Sequence, residues 1–418
     1  MAQIDRCGIA GLITVGRGIE TLVKRKLVLS LMLAGVAVGV TAQRGGRAGG
    51  TPPDAKGQCP PGMTLVRGGS CGTPEFPPPS IVDYRPKSTL VAAEHLVPRA
   101  KYSVIDSHNH TTITAQNIDQ MIKEMDELNI RTVVNLSGGA DPAAVKTKVD
   151  FIRSTKYADR FRVFANVNWD GAGGAGWAEK AVADLEAAVK HGAIGLKIAK
   201  NLGISAKKAD GTRLHVDDPV LKPVWDLCAR LNIPVIIHTA EPQEFFSPLD
   251  MQNERWLELA LFADRRNYQD GKETFEQLVG ERDRMYAANP KTKYIGAHFN
   301  WYANDLARAG KQLDALPNLV LEVGAVLYDF GRQPRAAREF FIKYQDRILM
   351  GKDAWAASEF PYYWRVFETS DEYFDYYRPY HAFWKLYGMD LPDVVLKKLY
   401  YQNALKTTPG LPQTGWAR

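Results

Sequence analysis

The feature that most constrains the fold is an alternation of short apolar segments with helical patterns from Lys101 onward. The apolar segments carry few charges, as expected for parallel strands that are buried on both faces. Eight such strands alternating with eight helices predict an α/β fold, the (β/α)8 TIM barrel, with an open doubly wound sheet as the alternative. The predicted strands are residues 102–108, 131–136, 161–167, 193–198, 233–238, 293–298, 318–323 and 346–353. The predicted helices are residues 117–129, 142–157, 177–191, 217–231, 271–289, 301–315, 334–344 and 392–407.

Polar side chains stand at the C-terminal ends of several of these strands. His108 and His110 end the first strand, and His238, His298 and Asp353 end the fifth, sixth and eighth. Side chains of a strand alternate between its faces, so the first two imidazoles point the same way and suit one metal ion. In a TIM barrel the C-terminal ends of the strands surround the active site, and the sequence therefore predicts a metal centre there.

From about Tyr102 to Lys406 the chain resembles the amidohydrolase superfamily. It is most similar to the amidohydrolase-2 branch of metal-dependent TIM-barrel hydrolases and decarboxylases. The order and spacing of the matching motifs are more specific than the His-x-His pair alone. These motifs are Ile105-Asp-Ser-His-Asn-His110, Pro234-Val-Ile-Ile-His238, Ile295-Gly-Ala-His298, Leu349-Met-Gly-Lys-Asp353 and Tyr401-Gln-Asn-Ala-Leu405.

The resemblance implies a divalent metal ion, with zinc as the first choice and manganese or another divalent metal as the alternative. The implied metal ligands are His108, His110, His238 and Asp353. It also implies that His298 is an acid or base near the metal, as in the decarboxylase members.

The implied ligand set predicts a hydrolase. A metal with open coordination lowers the pKa of bound water towards about 7. Asp353 would accept that water's proton and later pass it to the leaving group, while His298 would polarise the substrate carbonyl. Such a site cleaves a C–N or C–O bond in a small amide, lactone or ester. The first alternative is a non-oxidative decarboxylase of a small aromatic or unsaturated carboxylic acid. The second is a protein that binds a metal or ligand without catalysis.

Three more polar residues are candidates for substrate binding. Lys197 ends the fourth strand, where binuclear superfamily members carry a carbamylated lysine that bridges two metals; pairing with a carboxylate or with substrate is the other interpretation. The planar fork of Arg255 suits a substrate carboxylate, and a structural pair with a glutamate competes with that role. Asn300 follows His298 and would line the pocket.

Lys352 departs from the family pattern, which usually has a small residue before the last ligand. Its side chain either contacts substrate or points away.

An insertion rich in Trp, Tyr and Phe spans residues 354–390, after the eighth strand. It is long for a connection between a strand and a helix. A lid over the site, a subunit interface, and packing on the outside of the barrel are three interpretations that the sequence leaves open. The oligomeric state, including a homo-oligomer, is open for the same reason.

The first hundred residues do not follow the barrel pattern. A basic segment, Lys24-Arg-Lys26, precedes an apolar run that ends at Val40-Thr-Ala42, which is the order of a signal peptide. The run is shorter than the about 20 apolar residues of a membrane span. We expect cleavage of residues 1–42, export to the periplasm or the medium, and no stable membrane span afterwards. An uncleaved anchor is the alternative.

A Pro/Gly-rich extension, residues 43–100, follows the predicted signal peptide and precedes the barrel domain of residues 101–418. Export implies an oxidising compartment, where disulfides form. Cys59 and Cys71 flank a loop within the extension, whereas Cys228 lies on the apolar face of a predicted helix. The sequence therefore predicts a Cys59–Cys71 disulfide and a buried free thiol.

The composition, 45% hydrophobic and 24% charged, is that of a globular protein. The net charge of +6 is modest for 418 residues. No run of Lys and Arg interleaved with aromatic residues follows the start of the chain, which argues against nucleic-acid binding. The expected partner is a small-molecule substrate.

Overall fold

The computed structural model describes residues 51–66, 69–73, 81–268 and 272–416. The predicted signal peptide, residues 1–42, lies outside the described residues. The chain forms two units. The smaller comprises Met1–Asp54 and Cys59–Thr73, and the larger comprises Ala55–Gln58 and Pro74–Arg418.

The smaller unit contains a short hairpin, in which Thr64–Val66 pairs antiparallel with Ser70–Gly72. Cys59 is joined to Cys71 by a disulfide, with the two Cα atoms 5.5 Å apart. The backbone N–H of Cys71 also donates to the carbonyl of Thr51 at 2.6 Å. The described residues of this unit have little regular structure besides the hairpin, and these links close a short loop among them. In the larger unit, Cys228 is a buried free thiol.

The larger unit is built on parallel strands. They are β1 (Val104–Asn109), β2 (Ile130–Asn135), β3 (Phe161–Val163), β4 (Leu196–Ile198), β5 (Val235–Ile237), β6 (Tyr294–Gly296), β7 (Leu319–Glu322) and β8 (Ile348–Leu349). Strands β1 to β3 pair in sequence order, and so do β4 to β8. Single bridges Ala165–Leu196 and Asn109–Asp353 join the two sheets at both seams. The strands therefore close into a ring, and the predicted (β/α)8 barrel is confirmed.

The helices of the larger unit surround these strands. They are α1 (Ile118–Leu128), α2 (Pro142–Ser154), α3 (Trp177–Lys190), α4 (Lys222–Leu231), α5 (Trp256–Leu261), α6 (Phe275–Ala288), α7 (Leu306–Ala315), α8 (Leu327–Arg332), α9 (Pro334–Lys343), α10 (Phe360–Glu368), α11 (Asp393–Lys397) and α12 (Asn403–Thr407). A π-helical turn, Lys398–Gln402, joins the last two. Helices α5, α8 and α10 lie in stretches for which the sequence predicts none. None of the helices in the described ranges has the length and apolar character needed to cross a bilayer.

Helix α1 shows how the sequence pattern produces the outer layer. Its buried residues recur every three or four positions, so they form one apolar face that packs on the barrel. They are Ile118, Met121, Ile122, Met125 and Leu128. The helix ends at Asn129, whose backbone is left-handed with φ 65°, a conformation that asparagine tolerates at a helix C-terminus.

The seam between β8 and β1 positions the C-terminal end of the barrel. Asp106 is fully buried there, and its carboxylate accepts hydrogen bonds from the backbone N–H groups of His108 (3.2 Å) and Lys352 (3.0 Å). The backbone N–H of Asp353 donates to the carbonyl of His108 at 2.6 Å, and that of His110 donates to Asp353 at 2.8 Å. The ladder thus continues past the end of β8 and brings Asp353 beside the His-x-His pair.

The insertion after β8 is partly core. Helix α10 buries Phe360, Tyr363, Trp364 and Phe367 completely. Beyond it, Phe374–Asp375 pairs with Lys385–Leu386 as a short antiparallel ribbon. Helix α10 therefore packs as part of the core. A lid or a subunit interface remains an interpretation for the rest of the insertion.

Candidate metal centre and active site

Two histidines and an aspartate meet at the C-terminal end of the barrel. The Nε2 atoms of His108 and His110 are 3.3 Å apart. Oδ1 of Asp353 lies 3.3 Å from the first of these nitrogens and 3.9 Å from the second. Asp353 reaches this position with a positive φ of 81°, immediately beyond β8. The structure thus brings together three of the four residues predicted as ligands, with one donor atom of each within 4.8 Å of the others.

The four imidazoles at the barrel mouth form a continuous row. The ring centroid of His108 lies 5.3 Å from that of His110 and 4.9 Å from that of His298. The centroid of His238 lies 4.4 Å from that of His298, and Nδ1 of His238 is 3.2 Å from Nε2 of His298. Nε2 of His238 lies 3.4 Å from a carboxylate oxygen of Glu241. The fourth predicted ligand therefore belongs to the row but stands at its far end, beside His298.

The electrostatics of the row keep most of its histidines neutral. Burial, reinforced by neighbouring positive charge, lowers the pKa of His110 to about 3 and that of His298 to about 3. Burial also lowers the pKa of His238. Burial opposes the ionisation of Asp353, but the histidines around it, His108 first, hold its pKa well below the usual range. Burial and Lys197 oppose the protonation of His108, but the carboxylates of Glu322 and Asp353 raise its pKa. Neutral imidazoles and an ionised carboxylate are the forms that bind a metal ion, so binding would displace a proton from His108.

Lys197 of β4 joins the same cluster. Its Nζ is buried and lies 3.2 Å from Nε2 of His108. Burial lowers the pKa of Lys197 to about 8, although the carboxylates of Asp353 and Glu322 work in the opposite direction. An amine with that pKa is still mostly protonated at neutral pH, so this lysine adds a buried hydrogen-bond donor to the site.

Glu322 is a residue of the site that the sequence reasoning missed. It ends β7 and is completely buried. Its Oε1 lies 2.8 Å from Nδ1 of His108 and accepts the backbone N–H of His298, while Oε2 accepts the N–H of Gly324 at 2.7 Å. The available signal was a single acid at the end of an apolar strand, Leu319-Val-Leu-Glu322, which is the pattern that singled out Asp353.

The backbone after β6 forms a left-handed turn. His298, Phe299, Asn300 and Trp301 have φ values of 54°, 56°, 56° and 58°. Each such residue other than glycine costs about 1–2 kcal/mol, so the turn persists only because its surroundings hold it. The buried Arg282 donates to the carbonyl of Asn300 at 2.8 Å. The result is that the ring of Trp301 stacks on that of His298 at a centroid distance of 4.6 Å.

Two predicted substrate residues have structural partners. Nε of Arg255 donates to Glu258 at 2.7 Å and Nη1 donates to the hydroxyl of Tyr328 at 2.7 Å. This is the structural Arg–Glu pair that competed with substrate binding. The amide of Asn300 donates to Gln312 at 2.8 Å and accepts from a buried tyrosine hydroxyl at 3.1 Å.

Lys352 points into the insertion. Its buried Nζ pairs with Glu359 and lies 5.6–5.9 Å from the ring centroids of Phe360, Tyr363 and Tyr377. A buried cation surrounded by a carboxylate and aromatic faces is well satisfied. Of the two interpretations of this residue, the structure agrees with the one in which the side chain points away from the metal centre.

A family model and several solved structures are similar to this chain. The model of the family described as "Amidohydrolase" matches residues 105–407. An uncharacterised TIM-barrel protein from Bordetella bronchiseptica is 15% identical, covers 73% of this chain and 98% of its own, and superposes with a TM-score of 0.45. A 2,6-dihydroxybenzoate decarboxylase is 14% identical, with 73% and 98% coverage and a TM-score of 0.46.

A zinc-bound amidohydrolase from Burkholderia multivorans is similar at 13% identity, with 73% of this chain and 98% of its own covered and a TM-score of 0.41. No curated protein matches the chain.

Proposed function

The chain belongs to the amidohydrolase family, and from that premise we propose a metal-dependent hydrolase that cleaves a C–N or C–O bond of a small amide, lactone or ester. One observation carries the proposal. The ring nitrogens of His108 and His110 and the carboxylate of Asp353 converge at the barrel mouth, with distances of 3.3–3.9 Å between them.

The residues present fit a divalent metal ion. His108, His110 and Asp353 would hold it, and we propose His238 as a further ligand and zinc as the ion. The fit rests on the donor set, since one donor atom each of His108, His110 and Asp353 lies within 4.8 Å of the others. When bound, zinc supplies a Lewis acid and lowers the pKa of bound water towards about 7.

Asp353 is suited to move the proton of the attacking water. Its pKa is held well below the usual range by the neighbouring histidines, so it is ionised at neutral pH, although so low a pKa makes it a weak base. Its carboxylate side chain remains 35% exposed, whereas that of His108 is completely buried. Asp353, which we propose exchanges protons with water and substrate, is therefore also accessible from the open side of the site.

His298 is suited to accept a proton near the substrate rather than to polarise the substrate carbonyl. Its Nδ1–H donates to the carbonyl of Gly324 at 2.8 Å, an assignment that follows because a carbonyl can only accept. Nε2 is then the unprotonated nitrogen of a neutral ring. Lys197, beside His108, is the predicted substrate residue that lies within the cluster, and we propose that it binds the substrate.

A substrate screen tests the proposed activity. Purified protein loaded with zinc is incubated with panels of lactones, amides, esters and aromatic acids, with Asp353→Asn as the matched control. We expect hydrolysis products that depend on metal and on Asp353. Release of CO2 from an aromatic acid would instead support the decarboxylase. Turnover that survives both metal removal and Asp353→Asn would contradict both activities.

We also propose that the mature protein is exported and begins at Gln43. The proposal rests on the order of basic, apolar and small residues at the start of the chain. Intact mass measurement of the secreted protein tests the cleavage site. A thiol assay on the unfolded, unreduced protein should find one free thiol, that of Cys228; three thiols would exclude the Cys59–Cys71 bond.

A further inference from the structure

The carboxylate of Glu322 contacts both halves of the site, and we propose that it is a positioning residue for the metal-binding His108 and the acid–base His298. This inference rests on the proposed function, because it assigns roles relative to that metal. Glu322 is not itself a metal ligand in this proposal. It fixes which ring nitrogens of His108 and His298 face the proposed metal and substrate.

The first contact sets the proton on His108. Oε1 of Glu322 lies 2.8 Å from Nδ1, and an ionised carboxylate can only accept a hydrogen bond. Both oxygens of this carboxylate also accept backbone N–H groups, those of His298 and Gly324, so the geometry makes it an acceptor on every side. This contact places a proton on Nδ1, so Nε2 is the ring nitrogen that faces His110 and Asp353 and that a metal ion would use.

The second contact anchors His298 and the left-handed turn. The backbone N–H of His298 donates to Oε1 of Glu322, and the N–H of Gly324 donates to Oε2 at 2.7 Å. The carbonyl of Gly324 in turn accepts Nδ1–H of the His298 ring at 2.8 Å. Backbone and side chain of His298 are thus tied to the same short segment at the end of β7.

The surrounding backbone leaves space for this carboxylate. A Cβ added at Gly351 would lie 2.2 Å from Oε2 of Glu322, and one added at Gly324 would lie 2.7 Å from the same atom. Gly351 belongs to the strand-eight motif that ends at Asp353. Because glycine has no side chain, the carboxylate of Glu322 on the neighbouring strand has room at this position. This close packing is an observation separate from the hydrogen bonds, and it also indicates that the carboxylate of Glu322 is held in one position.

Metal affinity tests the assignment without a substrate. Glu322→Gln keeps the shape but places an amide NH2 against one of its N–H donors. We expect zinc affinity, measured by competition with a chromogenic chelator, to fall about 10–100-fold, and the spectrum of the cobalt-substituted protein to change. Glu281→Gln is the matched control, since Glu281 is buried and lies 2.8 Å from Nδ1 of His215 in another part of the chain.

The control should bind zinc within threefold of the original protein. Equal affinities in Glu322→Gln and Glu281→Gln, at equal folded fractions by circular dichroism, would overturn the positioning role. If Glu322→Gln does not fold, ¹⁵N NMR of histidine-labelled, zinc-loaded protein decides: a proton on Nδ1 of His108 supports the proposal, and one on Nε2 overturns it. Zinc binding without any turnover would contradict the proposed hydrolase activity. The positioning role of Glu322 would still be decided by the zinc affinities.

Discussion

Two regions of this molecule pair a histidine with a buried glutamate at the same distance. In the inner cluster, at the barrel mouth, Nδ1 of His108 lies 2.8 Å from Glu322. In the outer cluster, formed by His215, Asp217 and Glu281, Nδ1 of His215 lies 2.8 Å from Glu281. Residue types and spacing alone would make both of them candidate metal sites.

Their charge balance is different. In the outer cluster Arg213 pairs with Glu281 at 2.5 Å, and Arg284 donates to Asp217 at 2.7 Å, so both carboxylates are neutralised. The side chain of His215 is 48% exposed. The inner carboxylates have imidazoles and Lys197 as neighbours, in a buried setting. The two clusters therefore differ in the groups that pair with their acids, although the histidine–glutamate distance is the same.

The largest expected difference between the clusters is in metal content. His108→Ala removes the imidazole that contacts His110, Glu322 and Asp353, and we expect the purified protein to lose its zinc. His215→Ala should retain the metal content of the original protein, because the outer acids are already paired with arginines. Elemental analysis of both variants checks this. Loss of metal only in His215→Ala would reverse the comparison.

Turnover gives the next largest difference. Asp353→Asn keeps the shape of the side chain but loses the proton acceptor, so we expect metal to be largely retained and turnover to fall by about 10²–10⁴-fold. His298→Asn should also retain metal and lose rate. Asp217→Asn in the outer cluster should leave the rate unchanged. Steady-state kinetics on a substrate from the screen measure these effects, and a near-normal rate in Asp353→Asn would assign the proton to His298.

Removal of metal should have a moderate effect on stability. A ligand at 100 times its Kd stabilises the folded state by about 2.7 kcal/mol, so a chelator should lower the melting temperature by several degrees. The same shift is expected in His215→Ala, whereas His108→Ala should show none. Differential scanning fluorimetry with and without chelator tests this. An undiminished shift in His108→Ala would place the ion elsewhere.

The smallest effect is expected from a change in the outer cluster. Glu281→Gln weakens the charged acceptor for Arg213 and for the backbone N–H of Val216. We expect the free energy of unfolding to fall by about 1–3 kcal/mol with zinc affinity unchanged, since a buried charged hydrogen bond is lost. Urea denaturation measures the change. A parallel loss of metal would show that the two clusters are coupled.

The sequence predicted the barrel because its strands are short apolar runs that end in polar residues. The same pattern placed His108, His110, His298 and Asp353 at the barrel mouth. It missed Glu322, because an acid within a predicted strand carries no sign of the histidine that it will contact from another strand. It also extended one helix back to residue 301, where the structure has the left-handed turn and begins α7 at Leu306.

The roles of Arg255 and Asn300 show a second limit of the sequence. The strand pattern makes them candidates for the site, but the direction of each side chain depends on partners that this pattern does not identify. Glu258 and Tyr328 take up the guanidinium of Arg255, and the left-handed backbone turns the amide of Asn300 towards Gln312. Lys352 is turned towards the insertion in the same way by Glu359.

The left-handed turn has a consequence for anyone who would make this protein more heat-resistant. Glycine is the usual remedy for a positive φ, yet here each replacement removes something else. At Phe299 it would empty a position packed against the rings of Phe330 and Phe340, and at Asn300 it would delete two buried hydrogen bonds. Directed evolution for thermostability should therefore leave His298–Trp301 unchanged and collect its gains elsewhere in the chain.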